Sequence, residues 1–155
     1  NCQELIHLNP AVEIDLLLAY SHASKSIFPR GLRKNQVLMT DNVDLPRLSS
    51  SEELAGLLEL SRERPVMIFK HSTRCPISSF AEREFMDYVP AAAARGVHCV
   101  MVLVVEDRQL SLELAEALGV RHQSPQAILV KDRVAAWNDS HERVTSSALE
   151  RAEAG

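Results

Sequence analysis

Cysteine is scarce in this chain of 155 residues, which carries only Cys2, Cys75 and Cys99. Three thiols so widely spaced cannot build the disulfide framework of a small secreted domain. A reducing compartment, the cytoplasm, is therefore expected, and each thiol must be judged by its own surroundings. No run of about eighteen apolar residues occurs, so neither a transmembrane helix nor a membrane partner is expected. Leu16-Leu17-Leu18-Ala19 is too short for a signal-peptide core and lies beside Glu13 and Asp15. Long Lys/Arg runs are missing too, and the net charge of −4 comes from mixed signs. That pattern argues for solubility and against a nucleic-acid partner. Paired ligand spacings are absent, so no metal site is expected. The first residue is Asn1 rather than Met, which leaves open a fragment or a processed product.

What is present divides near residue 46. Residues 1–45 offer a short helix around Val12 to Ala23 and a turn-rich stretch with Pro29, Gly31 and Asn35. No chemistry attaches to this extension, and Cys2 within it reads as incidental. Residues 46–155 are regular enough for one domain. Ser50 and Glu53 have capping-box spacing, and Leu54, Leu57 and Leu58 recur at helical intervals toward Arg64. Pro65 stops that helix. Val66 to Phe69 reads as a buried strand. Cys75-Pro76 then opens a second helix, with Pro76 at the first helical position, where a missing N–H costs nothing. Ile77, Phe80, Ala81, Phe85, Tyr88, Val89 and Ala92 are expected to line one face of it.

Gly96 interrupts the pattern, and Cys99 to Val105 reads as a second strand covered on both faces. A third helix is expected over Gln109–Leu118 with Gly119 as its cap. A strand over Gln126–Val130, a turn at Lys131-Asp132-Arg133, a strand over Val134–Trp137 and a helix over Thr145–Ala152 complete the series. A helix-joined parallel pair followed by an antiparallel hairpin implies an α/β fold, a mixed sheet with helices on both faces.

Cys75 stands where a strand gives way to a helix. The first-turn N–H groups of a helix are unpaired and its dipole places partial positive charge there, so an anionic sulfur is stabilised. His71, Arg74 and Lys70 are near enough in sequence to add to this. Ser72, Thr73, Arg74 and Ser78 are expected to make a polar, exposed surround. The thiolate is the species that attacks a disulfide. Position 78 would hold the second thiol of a C-x-x-C pair and holds Ser78 instead, so the two-cysteine cycle is closed to this chain. Cys99 lies in an apolar run and reads as core packing. A mixed disulfide at Cys75 must then be resolved by an outside thiol.

The stretch Phe69-Lys70-His71-Ser72-Thr73-Arg74-Cys75-Pro76-Ile77-Ser78 resembles the T-x-C-P-I-S signature of the monothiol bacilliredoxins. Val120 to Gln126 resembles the second marker of that family, and Trp137 with Ser140-His141 the third, though Asn138-Asp139 and Glu142 depart from it. The likeness spans about residues 48–152.

The resemblance implies a thioredoxin-like fold with a central four-stranded mixed sheet flanked by helices. It also implies an enzyme that removes bacillithiol, a small thiol, from mixed disulfides on client proteins. Cys75 would be the nucleophile, and Ser72, Thr73, Arg74, Pro76, Ser78, Ser124, Pro125 and His141 would meet the substrate. Bacillithiol would be a co-substrate, with no bound cofactor. Pro125 would be cis and would lie against Cys75, exposing the backbone of Ser124 for strand-like pairing. His122 would contact ligand or cap a turn. His71 would tune the charge at Cys75 or point away, and His141 would approach the site or make a structural hydrogen bond.

Two other readings fit part of the pattern. A peroxiredoxin-like peroxidase would use Ser72 three residues before Cys75, but Ile68 stands where its proline belongs. A thioredoxin-fold thiol sensor or interaction module would be modified at Cys75 without turnover.

Overall fold

In a computed structural model, residues 45–155 are described. The helix expected over Val12–Ala23 and Cys2 both lie outside the described residues. The chain order is α1 (Ser51–Leu60), β1 (Val66–His71), α2 (Pro76–Ala94), β2 (His98–Leu103), α3 (Arg108–Ala117), β3 (Gln126–Lys131), β4 (Val134–Ser140), a 3-10 turn (His141–Arg143) and α4 (Ser146–Ala154).

β1 takes a central place, with all six residues buried. The sheet order is β2-β1-β3-β4. β1 runs parallel to β2 and antiparallel to β3, with Lys70 opposite Gln126. β3 and β4 form an antiparallel hairpin in which Gln126 faces Ser140.

Alternation along the strands sends side chains to two cores. Val66, Ile68, Val100, Val102, Ile128 and Val130 pack with Leu54, Leu57 and Leu58 of α1 and Leu110 and Leu114 of α3. Met67, Phe69, Cys99, Ala127 and Leu129 pack with Ala81, Phe85, Tyr88 and Val89 of α2 and Leu149 of α4. Phe69 and Phe85 stack at 4.8 Å between centroids, so truncating either to Ala would cost about 3–5 kcal/mol.

Local chemistry explains the element ends. Ser50 caps α1 by accepting the Glu53 N–H, but the Glu53 carboxylate takes the Ser49 N–H at 2.8 Å, one residue earlier than a reciprocal capping box requires. α1 stops at Leu60 rather than reaching Arg64, because Ser61 turns to hold the β3–β4 hairpin. Its carbonyl accepts the Asp132 N–H and its hydroxyl the Arg133 N–H. Asp132 and Arg133 adopt φ of 50° and 66°, so the turn itself is two residues. Gly119 follows α3 at φ 62°, as a left-handed cap needs.

β4 continues past the expected Trp137 to Ser140, since an edge strand can turn Asn138 and Asp139 into its ladder without burying charge. β2 is half-covered rather than buried on both faces, being at the other edge. There Pro46 to Leu48 runs alongside, with Leu48 N–H donating to the Met101 carbonyl and Met101 N–H to that of Pro46. The Arg47 guanidinium forks onto Asp107 at 2.9 Å twice, which fixes this cover.

Candidate active site

Cys75 is the N-cap of the 19-residue helix α2, with extended backbone and Pro76 following at the helix start. Its carbonyl accepts the N–H groups of Ser78 and Ser79, and its own N–H donates to Ser72. The side chain makes no capping hydrogen bond and is half-buried. The sulfur therefore stands at the positive end of the helix dipole, with its lone pairs unused by the cap. Thr73 and Arg74 are exposed beside it, Ser72 is half-buried, and Thr73 Oγ1 donates to Glu106 at 2.9 Å. The Glu106 carboxyl is held below the usual range by its own backbone N–H first and then by Thr73.

Ser78 corrects an expectation. It is completely buried, not part of an exposed surround. Its Oγ accepts the Ser72 N–H at 2.8 Å and lies 3.0 Å from His71 Nδ1. The core stripe of α2 is Ser78, Ala81, Phe85, Tyr88, Val89 and Ala92, so Ile77 and Phe80, expected in the core, flank it and stand 40% and 45% exposed. Ser78 shapes the Cys75 loop from beneath and is out of a substrate's reach. His71, itself buried, faces the same side, with its Nε2 3.9 Å from Glu82.

The antiparallel register brings the other marker residues to Cys75's end of the sheet. Lys70 opposes Gln126, so the loop from Ser72 to Cys75 and the Ser124–Pro125 segment leave the sheet together. The Ser124–Pro125 peptide is cis. His141, at φ 60°, donates its N–H to the Pro125 carbonyl at 3.0 Å, and its Nδ1 lies 3.0 Å from Ser140 Oγ. The last loop is tied to the proline by backbone. Ser124 Oγ is buried without a hydrogen-bond partner among the described residues.

Lys70 and His122 are placed differently from the expectation that Lys70 assists the thiol. Lys70 lies on the face of β1 shared with Ile68, fully buried, and its Nζ is 2.8 Å from His122 Nδ1. Burial lowers Lys70 to about 8. His122 is lowered by burial first and then by the Lys70 charge. Cys99 is buried in β2, and burial pushes its thiol up to about 12.

With this geometry in place, similarity to known proteins decides the family. Residues 46–149 match the family model Monothiol bacilliredoxin BrxC. The chain belongs to the monothiol bacilliredoxin family. Among solved structures, this bacilliredoxin is similar to a candidate oxidoreductase with a thioredoxin fold at 30% identity, covering 70% of this chain and 93% of that one, with a TM-score of 0.61. It is also similar to oxidised mitochondrial thioredoxin 3 of Saccharomyces cerevisiae (18% identity, 71% and 93% covered, TM-score 0.54). Fasciola hepatica thioredoxin gives 14% identity, 71% and 97% covered, and a TM-score of 0.57. These last two show the fold alone, which is thioredoxin-like. The bacilliredoxin is a thiol-disulfide oxidoreductase. No described helix is long and apolar enough to cross a membrane.

Proposed function

We propose that this bacilliredoxin removes bacillithiol from proteins by a monothiol cycle at Cys75, in the cytoplasm. The observation that carries this reading is the pair of positions 75 and 78. A half-exposed sulfur stands at a helix N-terminus, and one turn on there is a buried, hydrogen-bonded serine in place of a resolving thiol. Among the described residues the other thiol is Cys99, which is buried in β2 and stays protonated at neutral pH.

In the first step the Cys75 thiolate attacks the bacillithiol sulfur of a client's mixed disulfide. The Cys75–bacillithiol S–S bond forms, the client S–S bond breaks, and the client leaves as a thiolate that takes a proton from water. In the second, a bacillithiol thiolate attacks the bacillithiol sulfur on Cys75. Oxidised bacillithiol departs, and Cys75 is returned as a thiolate. No bound cofactor takes part; bacillithiol is a co-substrate. In this reading Thr73, Arg74 and Pro76, exposed next to Cys75 in the chain, would meet the substrate together with Ser124, Pro125 and His141, whose loops lie at the same end of the sheet and against which the substrate backbone would lie.

The test is transfer. A bacillithiol-modified client is mixed with the protein, and both are followed by intact mass, with Cys75→Ser and Cys2→Ser as controls. Bacillithiol should move onto the wild type and onto Cys2→Ser, and not onto Cys75→Ser. Modification of Cys75 without release of reduced client would sink the enzymatic reading and favour a thiol sensor. Peroxide consumption without transfer would favour a peroxidase.

A further inference from the structure

Three polar side chains lie in a row across the sheet. Lys70, Gln126 and Ser140 are direct neighbours on β1, β3 and β4, and their exposures are 0%, 0% and 1%. Directly opposed residues on antiparallel strands share a face, so these three form one buried polar strip at the edge of an otherwise apolar core. Each reaches into the same loop, residues 121–125. Lys70 Nζ meets His122 Nδ1 at 2.8 Å. Gln126 donates to the Arg121 carbonyl at 3.0 Å and accepts the Gln123 N–H at 3.2 Å. Ser140 Oγ donates to Gln123 Oε1 at 3.0 Å.

The lysine is the costly member of the strip. A buried ammonium without a counter-charge is strongly unfavourable, and no carboxylate among the described residues lies within ion-pair distance of it. A methionine would pack there without that penalty. The amine's visible contact is with a histidine two residues before Ser124. Near neutrality the depressed values of both groups leave Lys70 as the donor and a neutral His122 ring as the acceptor, so the bond has one polarity.

We infer that Lys70 is a positioning residue: acting through His122, and with Gln126 and Ser140 beside it, it holds the Ser124–Pro125 segment in the place where the substrate backbone docks. The inference rests on the docking role proposed above for that segment. Lys70 reaches the chemistry only through the loop. Its loss should therefore spare the intrinsic reactivity of Cys75 and weaken productive binding of a large disulfide substrate. It should also leave the fold as stable as before or more so, which is the opposite of what a merely structural residue does.

The variants are Lys70→Met, His122→Ala and the pair together, all in the full chain. In Lys70→Met, KM for a bacillithiol-modified protein should rise about tenfold with kcat less affected, as expected for misplacement of a docking element. Alkylation of Cys75 by iodoacetamide should stay within about twofold, since a small reagent needs only the thiolate. Hydrogen exchange at the loop amide of Gln123, whose N–H Gln126 Oε1 accepts, should quicken about tenfold in each single variant, a local opening. It should quicken no further in the double variant, and the melting temperature of Lys70→Met should not fall. Unchanged loop exchange, additive effects of the two substitutions, or parallel loss of alkylation and transfer would overturn the inference. Should Lys70→Met not fold, His122→Ala carries the same exchange and KM comparison. Should the wild type transfer no bacillithiol, the proposed function fails, while the exchange cycle still decides whether Lys70 holds the loop.

Discussion

Ser78 Oγ accepts the Ser72 N–H at 2.8 Å while lying 3.0 Å from His71 Nδ1, so one buried hydroxyl joins the end of β1, the Cys75 loop and the first turn of α2. Removing it in Ser78→Ala strands a half-buried backbone N–H and a buried ring nitrogen. Such unsatisfied groups cost about 1–3 kcal/mol. Urea denaturation should show a loss of that size, with Cys75 still open to alkylation. A stability change near zero would mean that the loop relaxes and the hydroxyl holds nothing.

Restoring a thiol at this position should change the mechanism. Ser78→Cys places a second sulfur one helical turn from Cys75, where it can attack a mixed disulfide faster than an outside thiol can. In the Cys2→Ser background, intact mass after reaction with a bacillithiol-modified client should show the internally oxidised protein. The bacillithiol adduct that accumulates on the parent should be missing. Persistence of the adduct at the parent's level would show that the buried side of α2 keeps the introduced sulfur from reaching Cys75.

The framework of the domain was legible because local signals and burial agree in it. Val66 to Phe69 is apolar and follows Pro65, Pro76 suits a helix start, and Gly119 sits where the chain turns left-handed. The site was legible in its nucleophile and less so in its supports. Ser78 reads as polar and hence exposed, although stepping back three residues from Ala81 along the core stripe lands on it. Lys70 resists any local reading: its burial depends on His122, 52 positions away, and is a tertiary property. Ile77 and Phe80 show the converse, apolar side chains left at the surface because small Ser78 and Ala81 take the contact with the sheet.

The Lys70 charge should be visible in the pH dependence of stability. Its folded value, about 8, lies below the ordinary 10.5. The unfolded chain thus holds the proton more tightly, and wild-type stability falls as pH drops from the ordinary value through about 8. Below that the whole penalty is present, and a gap of this width corresponds to about 3 kcal/mol. Lys70→Met should be the more stable protein at neutral pH by up to about that amount, less what the lost His122 bond contributed. The difference should close as the pH approaches 10.5. Denaturant midpoints of the two proteins across this range test it. A constant difference would mean that Lys70 keeps its ordinary proton affinity in the fold.

Cys99 moves with pH in the opposite sense. Burial, and then the Glu153 charge, raises its thiol from 9.0 to about 12, so the folded state holds this proton more tightly than the unfolded one. The associated stability is complete below 9.0 and is lost as pH climbs toward 12. Native Cys99 should also be nearly inert to alkylation, because the attacking species is the thiolate. In the Cys2→Ser background, iodoacetamide at mildly alkaline pH should add a single label, and peptide mapping should place it on Cys75. A second label should enter only after denaturant is added. Cys99→Ala should flatten part of the alkaline loss of stability, the rest coming from Tyr88, which burial and Glu153 shift in the same direction. Native labelling of Cys99 at a rate like that of Cys75 would mean that β2 opens readily at its edge. The protein would then have an internal thiol able to resolve the Cys75 adduct, and the cycle could no longer be called monothiol.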